Sequence, residues 1–320
     1  DKDRHQVFLE PEGYDNERVY CNGVSTSLPQ DVQAAFLSEI RGLENAKILQ
    51  YGYAVEYDFV PTHQTKRSLE TKLVDGLFLA GQINGTSGYE EAAAQGLMAG
   101  VNAVRMLRQE EPFVLARDEA YIGVMIDDLV TRPPLEPYRM FTSRAEYRLI
   151  LRSDNADTRL TPIGRGLGLV DDARWERFQT RREAVATIAG LVETGGSIDG
   201  SSLATWIRRP EADAETFADA LAKQTTRRFA ADDISQVLID AKYEGYVDRQ
   251  TKQIERFRRL ESMNIPARTD YATMPELRFE ARERLSRVAP ATLGQAARVS
   301  GVTPADLTVL WIYLTGRRSA

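Results

Sequence analysis

The stretch AGQINGTSGYEEAAAQG at residues 80–96 is where residue types and spacing come nearest to a binding site. Gly81, Gly85 and Gly88 allow positive φ and close backbone approach. The first N–H groups of the helix expected after them point outward along its axis, and the helix dipole favours negative charge there. Gln82, Asn84 and Thr86 add side-chain donors and acceptors. The GxGxxG pattern that cradles a pyrophosphate after a strand occurs nowhere in the chain. The turn therefore suits a second contact to a dinucleotide: ribityl hydroxyls, or the carbonyl edge of a flavin that becomes anionic on reduction. The competing expectation is a tight strand-to-helix turn that holds nothing. Glu90 and Glu91 fall in the first helical turn, where carboxylates serve as caps and ion-pair partners. Proton transfer is the other role open to them.

A second constellation interleaves aromatics with guanidinium groups: Tyr138, Arg139, Arg144, Tyr147, Arg148 and Arg152. Arg144, Tyr147, Arg148 and Arg152 follow helical spacing, so one face would offer phosphate contacts and a stacking platform. The alternative is internal pairing with Glu146, Asp154 and Asp157. In AKYEGYVDRQ, Lys242, Tyr243, Tyr246 and Arg249 carry a similar mixture, with a helix whose aromatics are core as the plainer reading. Two superficial motifs fail. RSDNADTRL lacks the spaced oxygen ligands and terminal Glu of a calcium loop. GRGLGL follows no strand and its third Gly is misplaced for a nucleotide loop. Cys21 is the only cysteine, and with His5 and His63 it leaves no disulfide framework and no zinc spacing.

The elements that must position these residues follow from periodicity. HQVFLE and AKILQYGYAVEYDFV have strand-like content, and SLPQDVQAAFLSEIRGL between them is helical. LVDGLFLAG suits a buried parallel strand leading into the glycine turn and a helix over 89–108. That is the α/β unit in which a ligand sits beyond the strand's carboxyl end. From about residue 113 the pattern turns helical. RDEAYIGVMIDDLVT stops at Pro133-Pro134, and SRAEYRLILR and DARWERFQTRREAVATIAGLV are amphipathic. ETGGSIDGSS reads as a linker. Beyond it come one long helix from ADDISQV and two or three short ones split at SGVTP.

At 320 residues the chain should hold two or three domains. Its composition, 42% apolar and 28% charged, is that of ordinary globular domains, and no apolar run approaches the ~20 residues of a membrane helix. Few cysteines and no translocation signal point to a cytoplasmic setting. The net charge of −6 is uneven. Residues 1–142 hold 13 Lys+Arg against 22 Asp+Glu, and residues 143–320 hold 28 against 25, so a polyanion would meet the second half. With strand-like sequence at its very start and no initiating Met, the chain reads as the distal part of a longer protein.

The stretch AGQINGTSGYEEAAAQGLMAGVNA (80–103) closely resembles the signature of the glucose-inhibited division protein A family. EPEG (10–13), NGVSTSLP (22–29), EPYRMFTSRAEYRLILRSDNADTRLT (136–161), KYEGYVDRQ (242–250) and GQAARVSGVTP (294–304) extend the resemblance over nearly the whole chain. The resemblance implies an FAD-binding subunit of a tRNA wobble-uridine 5-carboxymethylaminomethyl modification enzyme. It implies flavin recharged by NADH, methylenetetrahydrofolate as one-carbon donor, tRNA as substrate, a GTPase partner and a homodimer, with no membrane. The family's N-terminal Gly-rich FAD motif and Cys-Pro-containing signature are not in this sequence, so no catalytic residue is assigned and Cys21 is not promoted to that role.

The fold expected is therefore α/β, part of a Rossmann-like FAD-binding domain, followed by all-α helical domains. The boundaries are 1–112 for the distal part of the FAD domain, 113–195 for an Arg-rich helical domain, and 196–320 for a helical domain binding partner or tRNA. Gln82, Asn84, Gly85, Thr86, Gly88 and Tyr89 are the expected cofactor contacts. Arg139, Arg144, Arg148, Arg152, Lys242 and Arg249 are the expected tRNA contacts. Two other functions compete: a folate- and FAD-dependent tRNA uridine C5-methyltransferase, and a non-catalytic fragment that binds RNA or a partner. The long helical sequence after residue 206 argues against the methyltransferase.

Overall fold

The computed structural model describes residues 3–274 and 276–316, with the side chains of 256 and 257 outside the description. The chain divides into a first unit, Asp1–Asp58, and a second, Phe59–Ala320. In the first, β1 (Phe8–Pro11) and β2 (Val19–Asn22) form an antiparallel hairpin with Phe8 opposite Asn22. Helix α1 (Gln30–Ser38) begins after Pro29 and buries Gln33. The Gln33 side-chain amide donates to the Leu28 and Gly52 carbonyls and accepts from the Gly52 N–H. Residues 46–60, expected as strand, are irregular. A strand needs a hydrogen-bonded neighbour, and here a glutamine side chain takes the Gly52 backbone groups instead.

The second unit is mainly helical. It contains α2 (Tyr89–Leu107), α3 (Tyr121–Thr131), α4 (Ala156–Gly166) and α5 (Asp172–Thr194). A two-residue hairpin, β3 (Ser197–Ile198) and β4 (Ser201–Ser202), follows. Then come α6 (Leu203–Trp206), α7 (Ala214–Ala222), α8 (Ala231–Glu261), α9 (Phe279–Val288), α10 (Leu293–Arg298) and α11 (Pro304–Gly316). Asp171, Ser202, Asp213 and Thr292 cap α5, α6, α7 and α10 by accepting first-turn N–H groups. The 31-residue α8 has Asp232 and Asp233 in its first turn and Arg258 and Arg259 in its last, matching the helix dipole at both ends.

Three sequence expectations give way here. The run 73–81 is not a parallel strand. Phe78 makes one antiparallel bridge to Glu70, and the Leu79 N–H donates to the Leu69 carbonyl. No parallel strand pair occurs among the described residues, so the run has no sheet to join. SRAEYRLILR is not an α-helix but a 3-10 turn at Thr142–Arg144 followed by irregular turns. Side chains claim carbonyls that a helix would use itself: Arg117 donates to the Arg144 carbonyl and Gln250 to that of Glu146. ETGGSIDGSS is not a spacer. It forms the β3–β4 hairpin within one core that joins Ile188 and Val192 of α5 to Leu203, Trp206, Phe217 and Leu238. The expected boundary at 195/196 therefore falls inside that core.

A second core packs α2 and α3 around Leu69, Met98, Leu129 and Tyr138, and a third gathers Leu277, Leu285, Leu293 and Leu310. Between these two lies a buried ionic centre on α3. Asp127 is fully buried and accepts from Arg298 at 2.5 and 2.9 Å and from Arg117 at 3.2 Å. Asp128 accepts from Arg117 at 2.6 Å and from the Tyr138 hydroxyl at 3.0 Å. Arg298 closes α10 and also pairs with Glu261, so the third core is tied to α3 by charge.

Candidate functional site

The glycine turn is held from both sides. A 3-10 turn spans Gly81–Asn84, with Gly81 at φ 78° and Gly85 at φ 72°, the left-handed region that favours glycine. Gly88 differs from expectation: its φ is −70°, open to any residue. A Cβ there would collide with the Glu91 carboxylate and the Arg139 guanidinium, so glycine at this position serves space rather than backbone angle. No side chain caps α2 at Gly88. The Glu91 carboxylate instead folds back over the start of this 19-residue helix, with its own backbone N–H among the groups that hold it.

Inside the turn runs a polar stripe on α2. Its buried residues are Glu91, Gln95, Met98 and Asn102, at helical spacing. Buried polar groups need partners, and each here stitches a loop to the helix. The Gln95 carboxamide oxygen accepts from the Gly81 N–H at 2.8 Å and from Asn84 at 3.3 Å, while its nitrogen donates to the Thr86 hydroxyl at 2.7 Å. Asn102 donates to the Ser68 and Phe113 carbonyls and accepts from the Phe113 N–H. Glu91 accepts from the Met140 N–H at 3.0 Å and faces Arg139 at 3.5 Å. The Met140 N–H and Arg139 hold its carboxyl below the ordinary glutamate range, against burial that pushes it up.

The expected cofactor contacts separate into two groups. Asn84 (0% exposed) and Thr86 (1%) lie behind the turn and are bonded to Gln95. Gly85 is also buried; a Cβ there would meet Thr62 at 2.9 Å and Pro134 at 3.6 Å, so protein rather than open space covers it. These three residues shape the turn. Gln82 and Tyr89, both exposed, remain on its outer face, beside the start of α2. Sequence reasoning missed Gln95. The available signal was a Glu–Gln–Asn series at helical spacing on a face that must be buried.

The expected polynucleotide contacts also separate. Arg152 is held by Asp154 and Asp240, and Lys242 donates to the Pro210 and Ala212 carbonyls, so both are structural. Tyr147 is buried and offers no stacking face. Asp157 pairs with Arg181, and Glu146 with Arg117, rather than with the arginines expected. Arg139, Arg144, Arg148 and Arg249 are exposed. Tyr243 and Tyr246 are also exposed rather than core. Arg152 stacks over Tyr243 (5.2 Å), Tyr243 neighbours Tyr246 (6.5 Å), and Arg249 covers Tyr246 (4.8 Å), so two neighbouring α8 tyrosines are flanked by an arginine on each side. Arg144 lies 4.5 Å over the Tyr138 ring.

Among the described residues no cluster of His, Cys, Asp and Glu could hold a metal ion, and no helix is long and apolar enough to cross a membrane. Residues 1–111 match the family model "Glucose inhibited division protein A". Residues 172–251 match the model of the tRNA modifying enzyme MnmG/GidA C-terminal helical domain, and residues 253–320 that of its C-terminal helical bundle. Among curated relatives, the tRNA uridine 5-carboxymethylaminomethyl modification enzyme MnmG of Syntrophotalea carbinolica is 53% identical, covering 98% of this chain and 53% of the relative. The enzyme of the same name from Listeria monocytogenes is 49% identical, with 98% and 52% covered. The chain thus spans about half the length of the curated relatives it matches. The solved structure of Aquifex aeolicus GidA in its form II crystal aligns with a TM-score of 0.79 at 43% identity, over 98% of this chain and 52% of the other. With that shared fold, and with matches reaching from the glycine turn to the last helix, the chain belongs to the glucose inhibited division protein A family.

Proposed function

We propose that this chain is part of an FAD-dependent enzyme that modifies C5 of the wobble uridine of tRNA with a (carboxymethyl)aminomethyl group. The observation that carries the reading is the glycine turn: two left-handed glycines leading into a 19-residue helix, braced from behind by Gln95. This geometry fits the outer contacts of a flavin nucleotide, and the names of the relatives supply the reaction. Gln82 and Tyr89 would border the cofactor directly, and the N–H groups opening α2 would favour negative charge near it. Asn84, Gly85 and Thr86 would keep the turn in shape. Bound FAD, with NADH and methylenetetrahydrofolate, would supply the one-carbon chemistry. A base inside the anticodon stack is out of reach, so the substrate uridine must be extruded. The exposed Arg139, Arg144, Arg148 and Arg249 would hold the phosphates, and the α8 tyrosines would offer stacking faces. A GTPase partner, a homodimer and a cytoplasmic setting complete the reading.

The deciding experiment is nucleoside analysis of tRNA from a strain lacking the gene, with a flavin absorbance scan of the full-length protein. Loss of the carboxymethylaminomethyl nucleoside supports the proposal. Loss of a C5-methyluridine instead, or a protein without flavin, would overturn it.

The two kinds of arginine should behave differently. Arg249→Ala should weaken tRNA binding and lower the slope of log affinity against log salt by about 1, as for one lost phosphate contact. Arg152→Ala should lower thermal stability, because it leaves Asp154 and Asp240 facing each other across the Gln236 amide without the cation between them. Filter-binding titrations at several salt concentrations check the first, and an unchanged slope would remove Arg249 from the interface. Thermal melts check the second.

A further inference from the structure

Two contacts join the cofactor turn to the segment that carries Arg139 and Arg144. One is backbone to backbone, from the Tyr138 N–H to the Gly85 carbonyl at 2.8 Å. The other runs through a side chain. One Glu91 oxygen accepts from the Met140 N–H at 3.0 Å, and the other faces the Arg139 guanidinium at 3.5 Å. Acids in a first helical turn ordinarily face solvent and act on the helix dipole. Glu90 does so and is exposed, whereas Glu91 is only 9% exposed and folded over Gly88. The missing Cβ of Gly88 leaves the space in which carboxylate and guanidinium meet.

We propose that Glu91 is a positioning residue that clasps segment 138–144 to the cofactor turn and so sets the distance between bound uridine and bound cofactor. The proposal rests on the function argued above. It also accounts for the unequal quality of the two Glu91 contacts. The Met140 bond is of ordinary length, part-buried and backbone-directed. The Arg139 pair is long, and the Arg139 side chain is 57% exposed, a geometry in which an ion pair adds little. A phosphate can therefore take Arg139 without opening the clasp. Proton transfer, the other role open to Glu91 from sequence, is disfavoured because one oxygen is occupied by a backbone donor.

The test uses the full-length flavoprotein and three variants. Glu91→Gln keeps a carbonyl acceptor for the Met140 N–H and loses the charge. Glu91→Leu removes both. Gly88→Ala displaces the carboxylate without deleting it, and decides the matter should Glu91→Leu fail to fold. In Glu91→Leu, hydrogen exchange at Met140 should speed up about tenfold, as expected for one lost charge-assisted bond. kcat should fall by about tenfold to a hundredfold, the scale of a misplacement near 1 Å, with flavin affinity and KM for tRNA within about threefold of wild type. Gly88→Ala should behave likewise, and Glu91→Gln should retain most of kcat and Met140 protection. Glu91→Gln as inactive as Glu91→Leu would overturn the clasp in favour of proton transfer. Unchanged Met140 exchange in both Glu91→Leu and Gly88→Ala would overturn it outright, as would flavin loss in step with kcat. A wild-type protein without flavin or product sinks the functional reading instead, while Met140 exchange still reports on the clasp.

Discussion

Asp127→Ala should destabilise the protein by about 3–5 kcal/mol, the cost of stripping a buried charge of its partner. Asp127 is fully buried, and its removal leaves Arg298 without a bidentate acceptor and Arg117 with one acceptor fewer. For a chain of this size the midpoint of thermal unfolding should drop on the order of 10 °C. Circular dichroism melts of wild type and variant measure it, and a shift below about 2 °C would mean that the ionic centre is stabilised elsewhere. The pH dependence has a definite sign. Burial pushes the Asp127 carboxyl up, but Arg298, Arg67 and Arg117 outweigh it, and the pKa is lowered. A depressed carboxylate contributes stability above its unfolded pKa and loses it as pH falls through the folded one. The difference between wild type and Asp127→Ala should therefore be full at neutral pH and shrink only in acid.

Gly85→Val should be comparably severe, with a visible consequence for the cofactor. The backbone there is left-handed at φ 72°, which a β-branched residue adopts only with strain. The new side chain would also drive into Thr62, at 2.9 Å from the ideal Cβ, and into Pro134. Backbone strain of about 1–2 kcal/mol and overpacking of about 1–3 kcal/mol add in the same direction. Because the Gly85 carbonyl also accepts from Tyr138, the shift should spread to segment 138–140. Purified full-length variant should show a lower melting temperature and a reduced flavin-to-protein absorbance ratio. A variant that melts like wild type and keeps its flavin would show that the turn relaxes around the new side chain. Gly85→Ala, which shares the positive φ but not the branch, should fall between the two.

How far these features could be read from sequence depends on whether the signal was local. The helices were legible, because α2, α5 and α8 carry their periodicity and end signals in their own residues. The glycine turn was legible for the same reason, although the roles within it were not. Asn84 and Thr86 look equivalent in sequence until Gln95 is seen to take the Thr86 hydroxyl and the Asn84 amide nitrogen, leaving the buried Asn84 Oδ1 without a partner among the described residues. That 46–60 and 73–81 would not form strands was not legible, since apolar content does not reveal whether a neighbour exists to pair with. The SRAEYRLILR segment failed for a related reason. Its helical spacing is real, but Arg117 and Gln250, distant in sequence, compete for its carbonyls. The division of the arginines into structural and exposed was likewise set by partners far away, such as Asp240 for Arg152.

The pairing of Asp127 with Arg298 spans 171 residues, and this sets a schedule for synthesis. At roughly 5–20 residues per second the ribosome needs roughly 10–30 s to supply Arg298 after Asp127 has been made. During that interval α3 holds its acid pair with Arg67, Arg117, Arg144 and the Tyr138 hydroxyl but without Arg298, and the surface that α10 will cover stays open to water. Closure of the ionic centre therefore comes well after α3 can pack against α2, and stalled nascent chains ending before residue 298 should be cut by protease within α3 faster than released full-length chains.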